Sequence, residues 1–478
     1  PAHIPGGGAG SKGGIDDFAT GTFETPPGGG SVAVTDLDFE PDLVLFTATN
    51  NVGRTGDDTV RTDGWTYGTL SRADDGTLTQ QVVGVANDAR RTGSAVGSGR
   101  DGLVLDLLVH DDGSAGALAG RVTKTTSGGF EMSFDGSSLP GDCRDDSFTV
   151  MFRAFRTDSD AKVETGHFLT PATAGVQTVQ LGLDASFVSL TSVNAVHGID
   201  TASATDGAIG VSHGEAVKTP NDAVQQHVAN STLVPETVVR NAYGGYQDRA
   251  LHLMHGRGEE FGTHTTGRVT ELGETMALTY DEVTDTGQGG HLVTFVAVEA
   301  DDHRTPDIGQ FRVPAPDAEH PTRVDVGFDP AMVEFTTCNL EALGTDQVVA
   351  DHAFGFGWSH GVAMPAADGG VSHHLLHGSL DADDVFGRVL PPVSEGQGAA
   401  TDGGVELGSR TEGQPSAARV LALGDDGTVT GRDDVVVSGV TKTGFEVETR
   451  SVSTGRRNTD SEVRPVVFYR AWPKRGEL

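Results

Sequence analysis

The chain has 478 residues, enough for about three domains, and 68 acidic against 33 basic side chains give it a formal net charge of −35. Only six of the basic residues are lysines. An acidic, lysine-poor surface is typical of proteins adapted to molar salt, where the Debye length falls to about 3 Å and self-repulsion is screened. The lack of a basic stripe argues against nucleic acid as a partner, because no cluster of basic side chains would release the counterions of its phosphates. An ordinary acidic protein is the alternative to the halophilic interpretation.

The chain starts with a glycine-rich stretch, PAHIPGGGAGSKGGIDDFAT. Such segments behave as flexible coil, so residues 1–20 are predicted to form a flexible leader, which we interpret as an anchoring arm. The sequence contains no apolar run of the length of a signal peptide or a membrane span. We therefore expect neither signal-directed export nor membrane insertion. Cysteine occurs only as Cys143 and Cys338, so no disulfide framework is expected.

The rest of the chain repeats itself three times. Matching stretches begin as GTFETPP at Gly21, GHFLTPA at Gly166 and GQFRVPA at Gly309, and each continues through a loop and an alternating segment to an apolar segment that ends in Asn. The spacings are 145 and 143 residues. A near-constant period indicates tandem structural units. We place these units at 21–160, 161–304 and 305–478, with polar junctions near 160 and 304.

Short segments rich in Val, Thr, Phe and Leu, punctuated by 67 glycines, predict β-strands throughout the chain. The stretch 223–242 is the best candidate for a helical or irregular insertion. Phe23, Phe168 and Phe311 are predicted to anchor the first strand of each unit to its core. The predicted fold is all-β, with three tandem β-sandwich, jelly-roll-like repeats of about 145 residues.

A second pattern, G-x-S/T-H/Y-G, occurs once in each unit, as GWTYG at 64–68, GVSHG at 210–214 and GWSHG at 357–361. Two copies match G-x-S-x-G, the nucleophile elbow of serine hydrolases, which needs a strand, a tight turn and a helix. The segment after the third copy contains a proline and two glycines and predicts no helix. The first copy has Thr66 in place of serine. We interpret the motif as architectural and expect no catalytic residue, while a hydrolase that uses Ser359 remains an alternative.

Histidines cluster in VSHHLLHG, as His373, His374 and His377, and in HLMHGRGEEFGTH, as His252, His255 and His264. Neither cluster has the spacing or the companion Cys or Glu of a recognisable zinc site, so no metal site is predicted. No phosphate-binding or dinucleotide loop occurs, so no cofactor is expected either. Three Asp-Asp-Gly sequences fit hairpin turns, because Asp-Gly readily supplies positive φ.

The segments LDFEPDLVLF at 37–46 and VGFDPAMVEF at 326–335 resemble a recurring pattern, G-F-x-P-x-x-V-x-F, of structural proteins of tailed viruses. In those tail and fibre proteins the pattern marks a β-rich module. The resemblance covers about thirty residues of each repeat. The second unit departs from it, with Leu183-Asp184-Ala185 in place of Phe-acid-Pro. Together with the acidic composition, the resemblance implies a virion surface or tail-fibre-type protein of a virus that infects haloarchaea.

The leading hypothesis is a non-enzymatic structural protein of a halophilic virus particle, assembled in the host cytoplasm and displayed on the virion as a fibre, spike, turret or baseplate component. Expected partners are other virion proteins, copies of itself in a trimer (or a pentamer at capsid vertices), and a host surface glycoprotein or glycan. Candidate host-contact residues of the third unit are Trp358, His360, His373, His374 and His377. The alternative is a haloarchaeal surface adhesin or carbohydrate-binding protein.

The composition predicts that folding depends on salt. Dilution from molar to about 0.01 M salt lengthens the Debye length from about 3 Å to about 30 Å, so the carboxylates repel one another with little compensation from six lysines. We expect the melting temperature, followed by circular dichroism, to fall steadily on dilution at constant pH. A melting temperature that stays flat or rises on dilution would contradict the halophilic interpretation.

Overall fold

The structure is a computed structural model, and most of the chain between Ala2 and Lys474 is described in it. The described residues are 2–4, 14–49, 62–88, 95–111, 114–158, 161–205, 209–219, 221, 223–234, 240–257, 260–284, 289–301, 304–315, 318, 320–338, 340, 343–349, 358–366, 369–378, 408–410, 416–423, 429–453 and 464–474. Almost all regular structure in them is β-strand, and a short 3-10 helix spans Gly141–Cys143. Among these residues no helix is long and apolar enough to cross a bilayer.

The strands follow the repeats of the sequence. The first unit contains β1 (Ala2–Ile4), β2 (Ile15–Glu24), β3 (Gly29–Val34), β4 (Leu43–Thr49), β5 (Thr62–Arg72), β6 (Leu78–Asp88), β7 (Ala95–Asp101), β8 (Leu105–Asp111), β9 (Ser114–Thr126), β10 (Gly129–Asp135) and β11 (Thr149–Thr157). The second contains β12 (Lys162–Leu169), β13 (Gly175–Gln180), β14 (Phe187–Val193), β15 (Thr201–Thr205), β16 (Ile209–Lys218), β17 (Val224–Val234), β18 (Arg240–Tyr246), β19 (Leu251–Arg257), β20 (Glu260–Glu271), β21 (Thr275–Glu282) and β22 (Leu292–Glu299). The third contains β23 (Asp307–Arg312), β24 (Thr322–Asp325), β25 (Pro330–Thr337), β26 (Thr345–Val349), β27 (Trp358–Pro365), β28 (Val371–Gly378), β29 (Gly408–Arg410), β30 (Ala418–Leu423), β31 (Val429–Thr441), β32 (Gly444–Ser453) and β33 (Val466–Pro473).

The strands form antiparallel sheets that come in three pairs, each with one large and one four-stranded sheet. The large sheets have the orders β1-β2-β11-β4-β5-β6-β7-β15, β12-β22-β14-β16-β17-β18-β26 and β23-β33-β25-β27-β28-β29. The small sheets have the orders β3-β10-β9-β8, β13-β21-β20-β19 and β24-β32-β31-β30. Apart from β1, β15 and β26, equivalent strands occupy equivalent places in every pair. The predicted all-β sandwich fold is confirmed.

Two strands leave their own unit and extend the sheet of the preceding one. β15 of the second unit pairs with β7 of the first, with Thr201 opposite Gly99. β26 of the third unit pairs in the same way with β18 of the second, with Gln347 opposite Tyr243. Each exchanged strand supplies backbone hydrogen bonds to a strand that would otherwise be an unpaired sheet edge. The units are therefore joined by sheet pairing as well as by the connecting chain.

The large sheets are buried on both faces. One face of each packs against its own small sheet and encloses a sandwich core. The other face contributes to a further core that contains residues of all three units. Within this shared core, the ring centroid of Trp472 lies 6.2 Å from that of Phe18 and 5.5 Å from that of Phe187. Burial on both faces explains why β4 reads LVLFTAT, buried at every position, without the alternation of a strand that has one face in water.

The prediction of a flexible leader over residues 1–20 needs correction. β2 begins at Ile15, and the side chains of Ile15 and Phe18 lie in the core shared by the three units, each 3% exposed. β1 pairs with the same strand, with Ala2 opposite Thr20. Residues 5–13 lie outside the described part of the chain. The segment IDDFAT is thus an integral strand of the first large sheet.

The prediction of a helical or irregular insertion at 223–242 is wrong, because this stretch forms most of the β17–β18 pair. Val228 and Ala229 are adjacent in β17 and face opposite sides, yet both are buried. A strand covered on both faces carries apolar residues without a period of two, so its pattern resembles that of a buried helix.

Other predictions are confirmed. Phe23, Phe168 and Phe311 pack against the sandwich cores of their units. Both cysteines are buried, and neither is part of a disulfide. The first Asp-Asp-Gly sequence, at 74–76, forms the turn between β5 and β6, with a glycine φ of 83°. The other two Asp-Asp-Gly sequences lie wholly or partly outside the described residues.

The closing glycine of each G-x-S/T-H/Y-G motif lies where a side chain has no room. At Gly68, Gly214 and Gly361 a Cβ would lie 1.7, 2.1 and 1.8 Å from a backbone carbonyl oxygen of the segment that leads into the small sheet. These are not contacts that side-chain rotation could relieve, because the opposing atom belongs to the backbone. The motif therefore lets the two sheets of each sandwich approach closely.

We expect Gly361→Val to destabilise the fold by about 3 kcal/mol or more, because it forces the two sheets of the third unit apart. Ser359→Ala in the same motif should cost about 1 kcal/mol, the value of one hydrogen bond. Gly141→Ala, where no atom lies within 4 Å of the added Cβ, is the matched glycine control. Denaturant midpoints in molar salt give the comparison. A serine variant less stable than the valine variant would refute this role of the glycine.

Candidate functional site

The G-x-S/T-H/Y-G motifs lie on the equivalent strands β5, β16 and β27, and Gly357 of the third copy is outside the described residues. Strand alternation sends the hydroxyl residues into the sandwich cores and the residues that follow them into the shared core. The Thr66 hydroxyl donates a hydrogen bond to the Asp106 carbonyl oxygen at 3.0 Å, and the Ser212 hydroxyl accepts one from the His252 backbone amide at 3.2 Å. Ser359 is completely buried. None of the three occupies an exposed elbow.

The next residues of the motifs meet at the centre of the molecule. The ring centroids of Tyr67 and His213 are 5.3 Å apart, and those of His213 and His360 are 6.1 Å apart. The first and third units also meet through Trp65 and Trp358, whose centroids are 6.5 Å apart. Each pair of units is therefore in contact through residues of this one motif, so the three large sheets surround a common centre.

A chain of four alternating charges crosses this centre. Arg153 of the first unit donates a hydrogen bond from Nη1 to Glu334 Oε2 of the third unit at 2.6 Å. Arg470 of the third unit donates to Glu334 Oε1 from Nε at 2.8 Å and from Nη2 at 2.5 Å. Its remaining Nη1 lies 2.8 Å from Glu215 Oε1 of the second unit. Arg153–Glu334–Arg470–Glu215 thus links all three units through ion pairs whose side chains are at most 5% exposed.

Neighbouring polar side chains satisfy much of the remaining hydrogen-bonding capacity. Trp472 Nε1 donates to Glu334 Oε1 at 2.9 Å, and Arg153 Nη2 donates to the Thr47 hydroxyl at 2.8 Å. The His227 ring nitrogen Nε2 lies 3.2 Å from Glu215 Oε2. Two arginines and two glutamates cancel in charge, which is the condition under which charges can be buried together.

Electrostatics keep these groups in the charge states that the network requires. Burial would raise the pKa of Glu334, but the guanidinium groups of Arg470 and Arg153 outweigh it and hold that pKa well below its usual value. The same competition, dominated by Arg470, lowers the pKa of Glu215. Burial and the charge of Arg153 lower the pKa of His360 to about 3, so its imidazole is neutral at pH 7. The network is therefore a chain of four charges beside the neutral imidazole of His360.

The predicted host-contact residues lie in the interior. Trp358 and His360 belong to the shared core, at 2% and 3% exposure, and His373 and His374 are each 2% exposed. His373 Nε2 accepts a hydrogen bond from the Val437 backbone amide at 3.1 Å. The side chain of His377 lies outside the described part of the structure. A residue that touches a receptor must be exposed, so the four described side chains belong to the core and not to a contact surface.

A second polar cluster lies at the seam between the second and third units. Asp346, on the exchanged strand β26, places its carboxylate 2.9 Å from His252 Nε2 and 3.5 Å from His264 Nε2, which belong to β19 and β20 of the second unit. The two imidazole rings are stacked, with centroids 5.3 Å apart. Tyr246 donates a hydrogen bond to Asp346 Oδ1 at 3.0 Å. In the described part of the chain, His252, His264 and Asp346 form a group whose ligand atoms all lie within 4.8 Å of one another, close enough to hold a metal ion.

The sequence patterns singled out both histidines of this cluster but did not connect them with Asp346. The spacing of His252 and His264 predicted no metal site because the carboxylate comes from another unit, 82 residues beyond His264. Only the exchange of β26 brings it there. The one feature of the sequence that could have indicated this contact is the tandem repeat, since repeated units that pack together bring residues distant in the chain into contact.

We expect Glu334→Gln to lower the free energy of unfolding by about 3–5 kcal/mol. The substitution leaves the buried Arg153 without a carboxylate and leaves Arg470 with Glu215 alone. Asp281→Asn is the control, since it removes an ion pair to Arg268 at 3.3 Å whose side chains are 41% and 52% exposed, and such exposed pairs contribute at most about 1 kcal/mol. Urea midpoints in molar salt measure both. Equal effects of the two substitutions would contradict a structural role for the buried chain of charges.

Comparison with known proteins gives little similarity. No protein-family model and no curated protein matches the chain. Among solved structures it has 7% identity to the botulinum neurotoxin serotype D binding domain, with a TM-score of 0.10 over 63% of this chain and 94% of that chain. The serotype C1 binding domain gives 8% identity and a TM-score of 0.10 over 66% and 96%. A di-domain ARO/CYC protein of the steffimycin biosynthetic pathway gives 8% identity and a TM-score of 0.08 over 58% and 84%. Similarities this low carry no argument, so conclusions about function depend on the residues of this chain.

Proposed function

We propose that the chain is a non-enzymatic structural protein of a halophilic virus particle, displayed at the particle surface. The observation that carries the proposal is that the three units share one interior, crossed by the chain of charges from Arg153 to Glu215. Separation of the units would expose the shared core and leave buried charges unpaired, so the arrangement favours a protein whose units stay together. The acidic composition supports the halophilic part of the proposal. The resemblance of segments 37–46 and 326–335 to tail and fibre proteins supports the viral part.

The use of the repeated motif also favours a structural role. In each unit the motif supplies a hydroxyl residue to the sandwich core, an aromatic or imidazole ring to the shared core and a glycine to the close contact between sheets. A hydrolase would need Ser359 in an accessible cleft beside a base. Ser359 is completely buried, and its neighbour His360 faces the other side of the strand.

Assembly with further copies remains part of the proposal. The expectation of a trimer, or of a pentamer at capsid vertices, was based on sheet edges that need cover. Within the chain, β15 and β26 already cover one edge in each of two large sheets. Self-association would therefore use other surfaces, and contact with a host glycoprotein or glycan would use residues other than the four buried candidates.

The adhesin or carbohydrate-binding alternative is compatible with the same fold, because sandwich domains serve many functions. What separates the two is location. A virion protein remains with nucleic-acid-containing particles, whereas an adhesin remains with the cell envelope.

Fractionation of an infected, high-salt culture tests the proposal. We expect this chain, detected by antibody, to sediment with particles in a density gradient, and we expect gold-labelled antibody to decorate the particle surface in electron microscopy. An unrelated envelope protein of the host serves as the control for contamination. Recovery of the chain in the envelope fraction and its absence from particles would replace the proposal by the adhesin. Ester hydrolysis in molar salt that Ser359→Ala abolishes, with folding unchanged, would replace it by the hydrolase.

A further inference from the structure

The cluster of His252, His264 and Asp346 has the composition of a transition-metal site. Two imidazoles and a carboxylate are the ligands of many zinc sites in which three protein groups bind the ion and a fourth position stays open. The three side chains come from three strands of two units, β19, β20 and β26. Their convergence is thus a product of the tertiary fold and not of local sequence.

The distances suit an ion after a small adjustment. Ligands that bind one zinc ion at 2.0–2.2 Å in a tetrahedral site lie about 3.4 Å from one another. The carboxylate oxygens of Asp346 are already 2.9 Å from His252 Nε2 and 3.5 Å from His264 Nε2. All three ligand atoms fall within 4.8 Å of one another, so the longest separation has to shorten by at most about 1.4 Å to reach tetrahedral geometry, which a small rotation of the imidazole side chains would supply.

The surroundings of the cluster fit a site that an ion can enter and in which the ligands are held. His264 and Asp346 are 19% and 20% exposed, which gives an ion access from solvent, while His252 is 1% exposed and anchored in the second unit. The Tyr246 hydroxyl donates to Asp346 Oδ1 at 3.0 Å. Hydrogen bonds of this kind to a ligating carboxylate orient it and typically change metal affinity by 10- to 100-fold when removed.

We propose that His252, His264 and Asp346 bind one Zn²⁺ ion that fastens the exchanged strand β26 of the third unit to the small sheet of the second. The ion bridges two units at a place where β26 already pairs with β18. Water fills the fourth position in this arrangement. The proposal is independent of the virion role, since a clip of this kind serves any protein whose units must stay together.

Zinc binding to the full chain tests the proposal directly. The chain is stripped with a chelator, dialysed into molar potassium chloride and titrated with Zn²⁺ in competition with a chromophoric chelator. We expect one ion per chain. Asp346→Asn and the double variant His252→Gln/His264→Gln should weaken binding at least 100-fold, and Tyr246→Phe should weaken it about tenfold while the stoichiometry stays at one.

His167→Gln is the matched control. This histidine also lies at a seam between units, where its Nδ1 is 2.7 Å from Gln81 Nε2, but it is not part of the cluster. We expect zinc affinity unchanged in this variant. Equal affinity in Asp346→Asn and the unsubstituted chain would overturn the proposal, since zinc would then be bound elsewhere, for example by the neighbouring stacked pair His255 and His291. Absence of stoichiometric binding would overturn it as well.

Amide hydrogen exchange distinguishes a zinc ion that fastens β26 to the second unit from one that binds without stabilising this strand. With zinc bound, amide exchange in Thr345–Val349 should slow at least tenfold relative to the stripped chain, because opening of β26 then requires loss of the ion. Exchange in β15, the equivalent strand at the other seam, should stay unchanged and provides the internal reference. Zinc that binds without slowing β26 would refute the bridging role of Asp346.

Discussion

The ion pairs Arg153–Glu334–Arg470–Glu215 form the interaction on which the arrangement of the units depends. Each charge lies in a core where an isolated ion would be strongly disfavoured, and each is neutralised only by a residue of a neighbouring unit or a neighbouring strand. Separation of the units would leave Arg153 without the carboxylate of Glu334 and Glu215 without the guanidinium of Arg470. The network therefore adds little as a set of attractions but strongly disfavours any state in which the units are apart or wrongly packed.

The asymmetry of the network is informative. Equivalent strands carry Arg153, Val296 and Arg470 at the same position, so the second unit has an apolar residue where the other two have a guanidinium. The second unit instead supplies Glu215. Three identical units would place like charges together at the centre. Divergence of the repeats thus allowed charges of opposite sign to pair across a nearly symmetric interior, which a strictly repeated sequence could not do.

Much of the fold could be predicted from the sequence because it follows from local patterns. The period of the repeats, the strand character of the segments and the turn at 74–76 each depend on residues close in the chain. The structural reading of the G-x-S/T-H/Y-G motif followed from its recurrence with Thr66 in the first unit. What sequence reasoning missed depends on burial from a second side. The sequence pattern of β17 resembled that of a helix because both faces of the strand are covered. The strand that begins at Ile15 was missed because a glycine-rich stretch precedes it.

The sites were harder to predict than the fold. Aromatic and histidine residues of the third unit suggested an exposed contact surface, but Trp358 and His360 face the other units in the shared core. The carboxylate of Asp346 reaches the two histidines of the second unit only through an exchanged strand. In both cases the partner lies in another unit, and no local pattern reports how units pack.

The central claim is that the three units form one cooperative body, and differential scanning calorimetry in molar salt tests it most directly. The shared core, the exchanged strands and the buried charges predict a single transition in which the calorimetric enthalpy equals the van't Hoff enthalpy. Two or three separable transitions, or a calorimetric enthalpy about three times the van't Hoff value, would show that the units unfold independently and would contradict the account.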